Sequence, residues 1–206
     1  MKDFINNIFL VGELILMSPQ LLLFYLSSEK EVIVADVKRW VEIFEWKSTS
    51  DSRNLLFLTA KKQEFRNLYY YRIAKGNFAA RLVMRIIKIF YKECSYLFLD
   101  MSSNIGPGLF IQHGFSTIIM ADIGENCWIN QQVSIGYKDK TGRPKIGDNV
   151  RITAGAKVLG NITVGNNVTV GANAVVIKNV PDNCVVVGVP AYIVKKNGLK
   201  VKEELV

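Results

Sequence analysis

Two hydrophobic rhythms divide the chain. Up to about residue 97, apolar side chains recur at intervals of three and four, the spacing that gathers them on one face of a helix. Residues 36–46 place Val37, Trp40, Val41 and Phe44 together in this way, and the same rhythm predicts helices over 54–74 and 78–96, punctuated by Gly76 and Asn77. A polar break, Ser48-Thr49-Ser50-Asp51-Ser52, precedes them. The apolar run 8–26 approaches the length of a bilayer span. However, Glu13 lies inside it and Ser18-Pro19-Gln20 interrupts it, so it reads as two packed helices, the second capped by Ser18 and beginning at Pro19. Met1-Lys2-Asp3 followed by Asn6-Asn7 is a poor match to a signal peptide, which starts with basic residues and ends at a small-residue cleavage site.

After Leu99 the period becomes six. Aliphatic residues stand at Ile105, Ile111, Ile123, Ile129 and Ile135, with Thr117 in the slot between. After a break the series resumes at Ile146, Ile152, Val158, Val164, Val170 and Val176. Gly often follows the aliphatic residue (Gly106, Gly124, Gly147, Gly165, Gly171), Asn often comes two places later (Asn126, Asn149, Asn167, Asn173), and the fifth position is apolar again. Such an internal repeat takes precedence over any local signal. Six residues make one short strand and one corner. The first and fifth side chains fill a narrow prism, Gly and Asn tolerate the positive φ of a tight corner, and successive coils stack at about 4.8 Å. One such unit cannot bury its own face, so the units must stack. The fold class expected is therefore α+β: an α-helical domain over residues 1–97 followed by a parallel β-helix over 98–206 that ends in a C-terminal tail.

Composition narrows the picture. The 206 residues are half hydrophobic and 21% charged, as in an ordinary globular protein. Cys94, Cys127 and Cys184 are odd in number and show no CxxC spacing, which excludes a disulfide framework or zinc knuckle and suits a reducing, cytoplasmic setting. Cys127 falls in an inward slot and reads as wall packing. The net charge is +8, and residues 61–92 carry nine Lys or Arg against the single acid Glu64. Arg81, Arg85, Lys88 and Lys92 share a helical face beside Leu82, Ile86 and Ile89. That face is a solvated surface, a peripheral contact with an acidic membrane, or a holder of an anionic substrate. No motif that reads nucleic acid accompanies the charge.

His113 is the only histidine. An unperturbed imidazole titrates near 6.5, so it is the side chain best suited to take a proton at neutral pH. It stands third in its unit after inward Ile111, which points it out of the prism near a corner; one coil later the same slot holds Gln131, and the next two hold Ala154 and Ala172, a polar group over two small residues that leaves a shallow groove. One imidazole per chain cannot assemble the three-histidine site of a β-helix zinc enzyme, so no metal is expected.

The stretches IGPGLFIQHGFSTII (105–119), IGENCWINQQVSIGY (123–137), IGDNVRITAGAKVLGNITVGNNVTVGANAVV (146–176) and VPDNCVVVGVPA (180–191) resemble the serine acetyltransferases among the hexapeptide-repeat, left-handed β-helix acyltransferases. The looser helical half is similar to the branch found with bacterial surface-polysaccharide enzymes. The resemblance implies a homotrimer, or a dimer of trimers, with active sites between neighbouring prisms, acetyl-CoA as co-substrate, and His113 as general base. It also implies backbone contacts from Ala154 and Ala172 to the pantetheine arm. Ile177 and Lys178 would lie near the nucleotide, helped by Lys195 and Lys196. Arg143, in the inserted loop GYKDKTGRPK, would meet the acceptor. Three departures stand out. Gln112 replaces an acid just before the histidine, although it remains a candidate acceptor contact. Pro144 replaces a second histidine. The aspartate that should orient the imidazole would fall at Phe98, and Asp100, two positions later, is the carboxylate assigned that role. These losses affect the grip on an amino acid's ammonium group, so the acceptor is either L-serine or a sugar hydroxyl. A non-catalytic scaffold at a membrane surface is the reading that dispenses with chemistry altogether.

Overall fold

The computed structural model describes residues 12, 16–47 and 50–205, and the chain divides into two compact units, Met1–Cys94 and Ser95–Val206. The boundary precedes the expected one because Leu97–Leu99 already forms the first β-strand.

Among the described residues the first unit contains five helices: α1 (Pro19–Leu26), α2 (Lys30–Ile43), α3 (Asp51–Lys61), α4 (Gln63–Lys75) and α5 (Phe78–Phe90). The first of the two helices expected over 8–26 lies mostly outside the described residues. The second begins with Pro19 at its first position, but Ser18 makes no side-chain cap; its carbonyl accepts from Leu21 N (2.9 Å). α2 starts six residues before Asp36 and buries Ile33 along with Val37, Trp40 and Val41.

The single helix expected over 54–74 is two. Lys62 adopts an extended conformation (φ −121°, ψ 102°) and its ammonium lies 4.3 Å from the centre of the Phe44 ring. Arg66 then reaches back, donating from Nε to Thr59 O (2.7 Å) and from Nη2 to Ala60 O (3.3 Å). One guanidinium thus satisfies carbonyls that the break leaves without helical donors. α5 likewise stops at Phe90, not Tyr96. The Asn67 side chain pairs with the Cys94 backbone in both directions (3.0 and 2.9 Å), holding the chain extended at that point. In the core of this unit Arg72 meets Asp36 through two hydrogen bonds (2.8 and 3.2 Å), both side chains buried.

The second unit is the prism that the six-residue period predicts. Its first face stacks Phe110–Ile111, Trp128–Ile129, Arg151–Ile152, Thr169–Val170 and Cys184–Val187 in parallel. The second stacks Leu97–Leu99, Thr117–Ile119, Ser134–Gly136, Lys157–Leu159 and Val175–Val176. The third stacks Asp122–Ile123, Lys145–Ile146 and Thr163–Val164, with bridges to Ile105 and Val180. Ile111, Ile129, Ile152, Val170 and Val186 form one buried inward column, and Cys127 lines the wall as expected. Burial pushes the Cys127 thiol up to about 11.

Asn and Gly divide the corner work differently from the expectation. Asn126, Asn149, Asn167 and Asn183 carry the positive φ (55–57°). The Gly after each aliphatic residue is there for close approach: a Cβ on Gly106 would lie 2.6 Å from Gly124 O. The parallel spiral ends in an antiparallel ribbon, in which Tyr192–Lys196 pairs with Cys184–Val187 and Leu199–Glu204 pairs with Tyr192–Lys196.

Candidate active site

The corner between the first and second faces carries His113, and it is wider than the corners stacked with it. Ile111 pairs with Ile129 and Ile118 with Ser134, so seven steps of one coil (118 − 111) run alongside five of the next (134 − 129). The backbone ladder locates the surplus. Gln112 N donates to Ile129 O (2.8 Å), as Asn130 N does to Ile152 O (3.0 Å), so 112 and 130 share a column. Gln132 N donates to Phe115 O (2.8 Å), as Gly155 N does to Gln131 O (3.1 Å), so 115 and 131 share the next. His113 and Gly114 are the two extra residues.

This corrects the expected column. Phe115, not His113, stands in line with Gln131, Ala154 and Ala172, and His113 projects on a bulge beside them. Its ring is exposed, its φ is +52°, and its carbonyl accepts from Phe115 N at 2.6 Å in a tight three-residue turn. Ser116 (+52°) and Gln132 (+59°) at the same corner share this left-handed conformation, which turns the chain there. Thr117 is buried, but the inward residue in register with Ile135 is Ile119.

Beside the bulge lies a group of amides that the sequence reading took only in part. Gln112 Oε1 accepts from Trp128 Nε1 (3.1 Å) and from Asn130 Nδ2 (3.2 Å). Trp128 is itself fixed, edge-on to Phe110 (4.9 Å) and under the Arg151 guanidinium (4.6 Å). With its oxygen committed to two donors, Gln112 turns its NH2 the other way. Asn130 Oδ1 and Gln131 Oε1 are buried and accept no hydrogen bond. A buried acceptor left without a donor costs on the order of 1–3 kcal/mol, so these two oxygens suit a ligand or a second surface that supplies donors. Trp128 and Asn130 went unread because they fall at ordinary repeat positions.

The remaining candidates lie at the other end of the second face. Leu97 pairs with Thr117, so Asp100, just past Leu99, sits at the opposite corner from His113, on the order of 10 Å along the strand direction. Asp100 accepts from Ser102 N (3.2 Å) and from Ser102 Oγ, and meets Arg143 Nη1 at 3.5 Å. Arg143 also donates to Ser102 Oγ (2.7 Å), Ser102 O (2.9 Å) and Asp122 Oδ1 (2.8 Å). Within one chain Asp100 therefore pairs with Arg143, at the corner opposite His113. Ile177 and Lys178 are exposed at this second corner too, and Lys178 Nζ donates to Leu205 O of the C-terminal strand region (2.8 Å). Between that strand region and Ile177, Pro190 and Ala191 lies a small cavity of about 80 Å³. Of the helping lysines, Lys195 is exposed and Lys196 pairs with Glu203 (2.9 Å).

The sequence matches the family described as bacterial transferase hexapeptide (six repeats) over residues 143–178. It is 35% identical over 144 residues to the serine acetyltransferase of Synechococcus elongatus, covering 66% of this chain and 59% of that one. It superposes on the soybean serine acetyltransferase apoenzyme with a TM-score of 0.62 and 30% identity, covering 81% of this chain and 69% of that one. The chain belongs to the serine acetyltransferase-like hexapeptide-repeat acyltransferases. Its fold is that family's: a helical N-terminal domain followed by a left-handed β-helix. The family includes a serine acetyltransferase of Brucella abortus solved with coenzyme A, to which the chain is 26% identical with a TM-score of 0.61, covering 83% of this chain and 69% of that one. The chain spans less than two thirds of the length of the Synechococcus relative.

Proposed function

We propose that the chain is an acetyl-CoA-dependent O-acetyltransferase acting on a small hydroxyl acceptor of the L-serine type, with His113 as general base. One observation carries this reading. In a fold shared with serine acetyltransferases, the sole imidazole is raised on a two-residue bulge beside a column that narrows from Phe115 through Gln131 to Ala154 and Ala172. The small residues leave a shallow track for an extended thioester arm. An exposed imidazole at its head takes the acceptor's hydroxyl proton as the oxygen attacks the thioester carbonyl. The C–S bond then breaks, and the departing thiolate receives that proton. Positioning of the two substrates contributes as much as proton transfer.

The candidates divide between two corners of one face. Gln112, His113, Ala154 and Ala172 lie at one; Asp100, Arg143, Ile177 and Lys178 lie at the other. We infer a homotrimer, in which one protomer's His113 corner faces its neighbour's Arg143 corner and completes the site; pairing of two trimers is compatible with this. A cytoplasmic setting accords with three buried free cysteines.

A second reading, transfer to a sugar hydroxyl, is favoured by the amide group. Gln112 offers a neutral NH2 where an ammonium ligand calls for an acid, and Asn130 Oδ1 and Gln131 Oε1 await donors such as hydroxyls. Release of the coenzyme A thiol, followed with L-serine and with a panel of sugars, separates the two. Wild-type protein releases thiol with one acceptor class, and His113→Ala slows it by roughly two to four decades with the fold intact. No acceptor-dependent release with either class overturns both readings.

A further inference from the structure

The exposed face of α5 is divided lengthwise. Ala80, Met84 and Ile87 are buried against the helical unit. Phe78, Leu82, Ile86, Ile89 and Phe90 point into solvent, the two phenylalanines 71% and 77% exposed. At 100° per residue these five fall in one continuous sector. Arg81 and Arg85, both exposed, lie along one edge of it, and exposed Lys92 lies just beyond the helix end; Lys88, on the same side, pairs with Glu93 (2.6 Å). α1 packs beside α5 and adds exposed Leu22 and Leu26 to the apolar surface. A soluble surface rarely carries so many large apolar side chains in one patch without a partner.

We infer that this face of α5 docks peripherally on an anionic membrane, the helix lying in the plane of the interface. Charge complementarity selects that occupant. α5 contains no acidic residue, so a second copy laid against it would bring no carboxylate from its own α5 to meet Arg81 and Arg85. An acidic lipid surface supplies negative charge at headgroup level and an acyl boundary just below, which is the order in which cations and apolar groups are arranged here. The depth fits as well. Thirteen residues make a helix about 20 Å long, too short to span a bilayer but long enough to lie along one. No helix among the described residues is long and apolar enough to cross a membrane. This inference is independent of the acetyl-transfer reading.

The test is co-sedimentation of the full chain with vesicles of neutral phosphatidylcholine, alone or mixed with about one third phosphatidylglycerol, at low salt and at about 0.5 M salt, where charges are screened within a few ångströms. Binding to the anionic vesicles should exceed binding to the neutral ones by at least tenfold and should fall with salt. Arg81→Glu with Arg85→Glu keeps the apolar sector and should lower binding at least tenfold. Leu82→Gln with Ile86→Gln keeps the charges and should lower it similarly. Both pairs alter exposed positions only, and circular dichroism confirms helicity. Sedimentation velocity accompanies each. Equal binding to both vesicle types, binding indifferent to both variants, or a fall in oligomer mass in the Leu82/Ile86 variant would each overturn the inference, the last by showing that a second copy covers the face.

Discussion

Trp128 Nε1 donates to Gln112 Oε1 at 3.1 Å, and Asn130 Nδ2 donates to the same oxygen at 3.2 Å. Both donors serve a carboxylate oxygen equally well. Gln112→Glu is therefore expected to fold normally while placing a negative charge beside the His113 bulge. A charged hydrogen bond contributes about 1.5–3 kcal/mol, so kcat/KM for L-serine should rise roughly tenfold or more. With a sugar acceptor it should stay level or fall. Steady-state kinetics on both acceptors decide the matter; an unchanged serine KM would remove Gln112 from the acceptor site.

Arg143 ties the inserted loop to its own prism through Ser102, Asp100 and Asp122, with 17% of its side chain exposed. Arg143→Ala should release this tie. The expected signs are a stability loss of about 1 kcal/mol and faster tryptic cleavage at Lys138 and Lys140. Arg143→Lys keeps the charge but not the planar fork, so it should restore the loop only in part. Cleavage rates matching wild type in both variants would show that other contacts hold the loop.

Gly106 and Asn149 test the two corner devices separately. Gly106→Ala drives a Cβ to within 2.6 Å of Gly124 O and 2.7 Å of its carbonyl carbon, backbone that cannot swing aside. A cost of about 1–3 kcal/mol follows, or roughly 2–10 °C in melting temperature for a chain of this size. Asn149→Ala meets no such contact and costs only the left-handed φ of 55°, about 1–2 kcal/mol. Asn149→Gly should be close to neutral. A Gly106→Ala protein melting like wild type would mean that the coils can shift apart.

In the helical unit, the buried Asp36–Arg72 pair makes opposite predictions for single and double changes. Removing one partner strands a buried charge, and Asp36→Ala should cost about 3–5 kcal/mol in urea denaturation. Asp36→Leu combined with Arg72→Met should recover most of that. A double variant no better than the single one would assign the loss to packing.

The sheet register was legible because each inward residue meets another of its kind one coil away, and the period repeats that requirement along the whole prism. The site was less legible, for a specific reason. Thr117 occupies the six-residue slot after Ile111 and is indeed buried, so the period looks unbroken where two residues have been added. Only the backbone ladder shows that Ile119 carries the register and that His113 and Gly114 stand outside it. The break between α3 and α4 was hidden similarly: a single extended residue, Lys62, interrupts an apolar rhythm that continues on both sides, and its cap comes from Arg66, a side chain with no local signature. Where Asp100 lies was not legible, because proximity in sequence to the first coil does not say at which end of a face a residue falls.

A spiral of parallel coils exposes a row of bare amides and carbonyls at its last turn, ready to accept another chain and grow into a filament. Here the ribbon Tyr192–Lys196 and Leu199–Glu204 covers that row on the first face, and its outermost strand bears Lys200, Lys202, Glu203 and Glu204. An incoming strand would have to desolvate these two cations and two carboxylates, so edge-to-edge growth along that face is opposed.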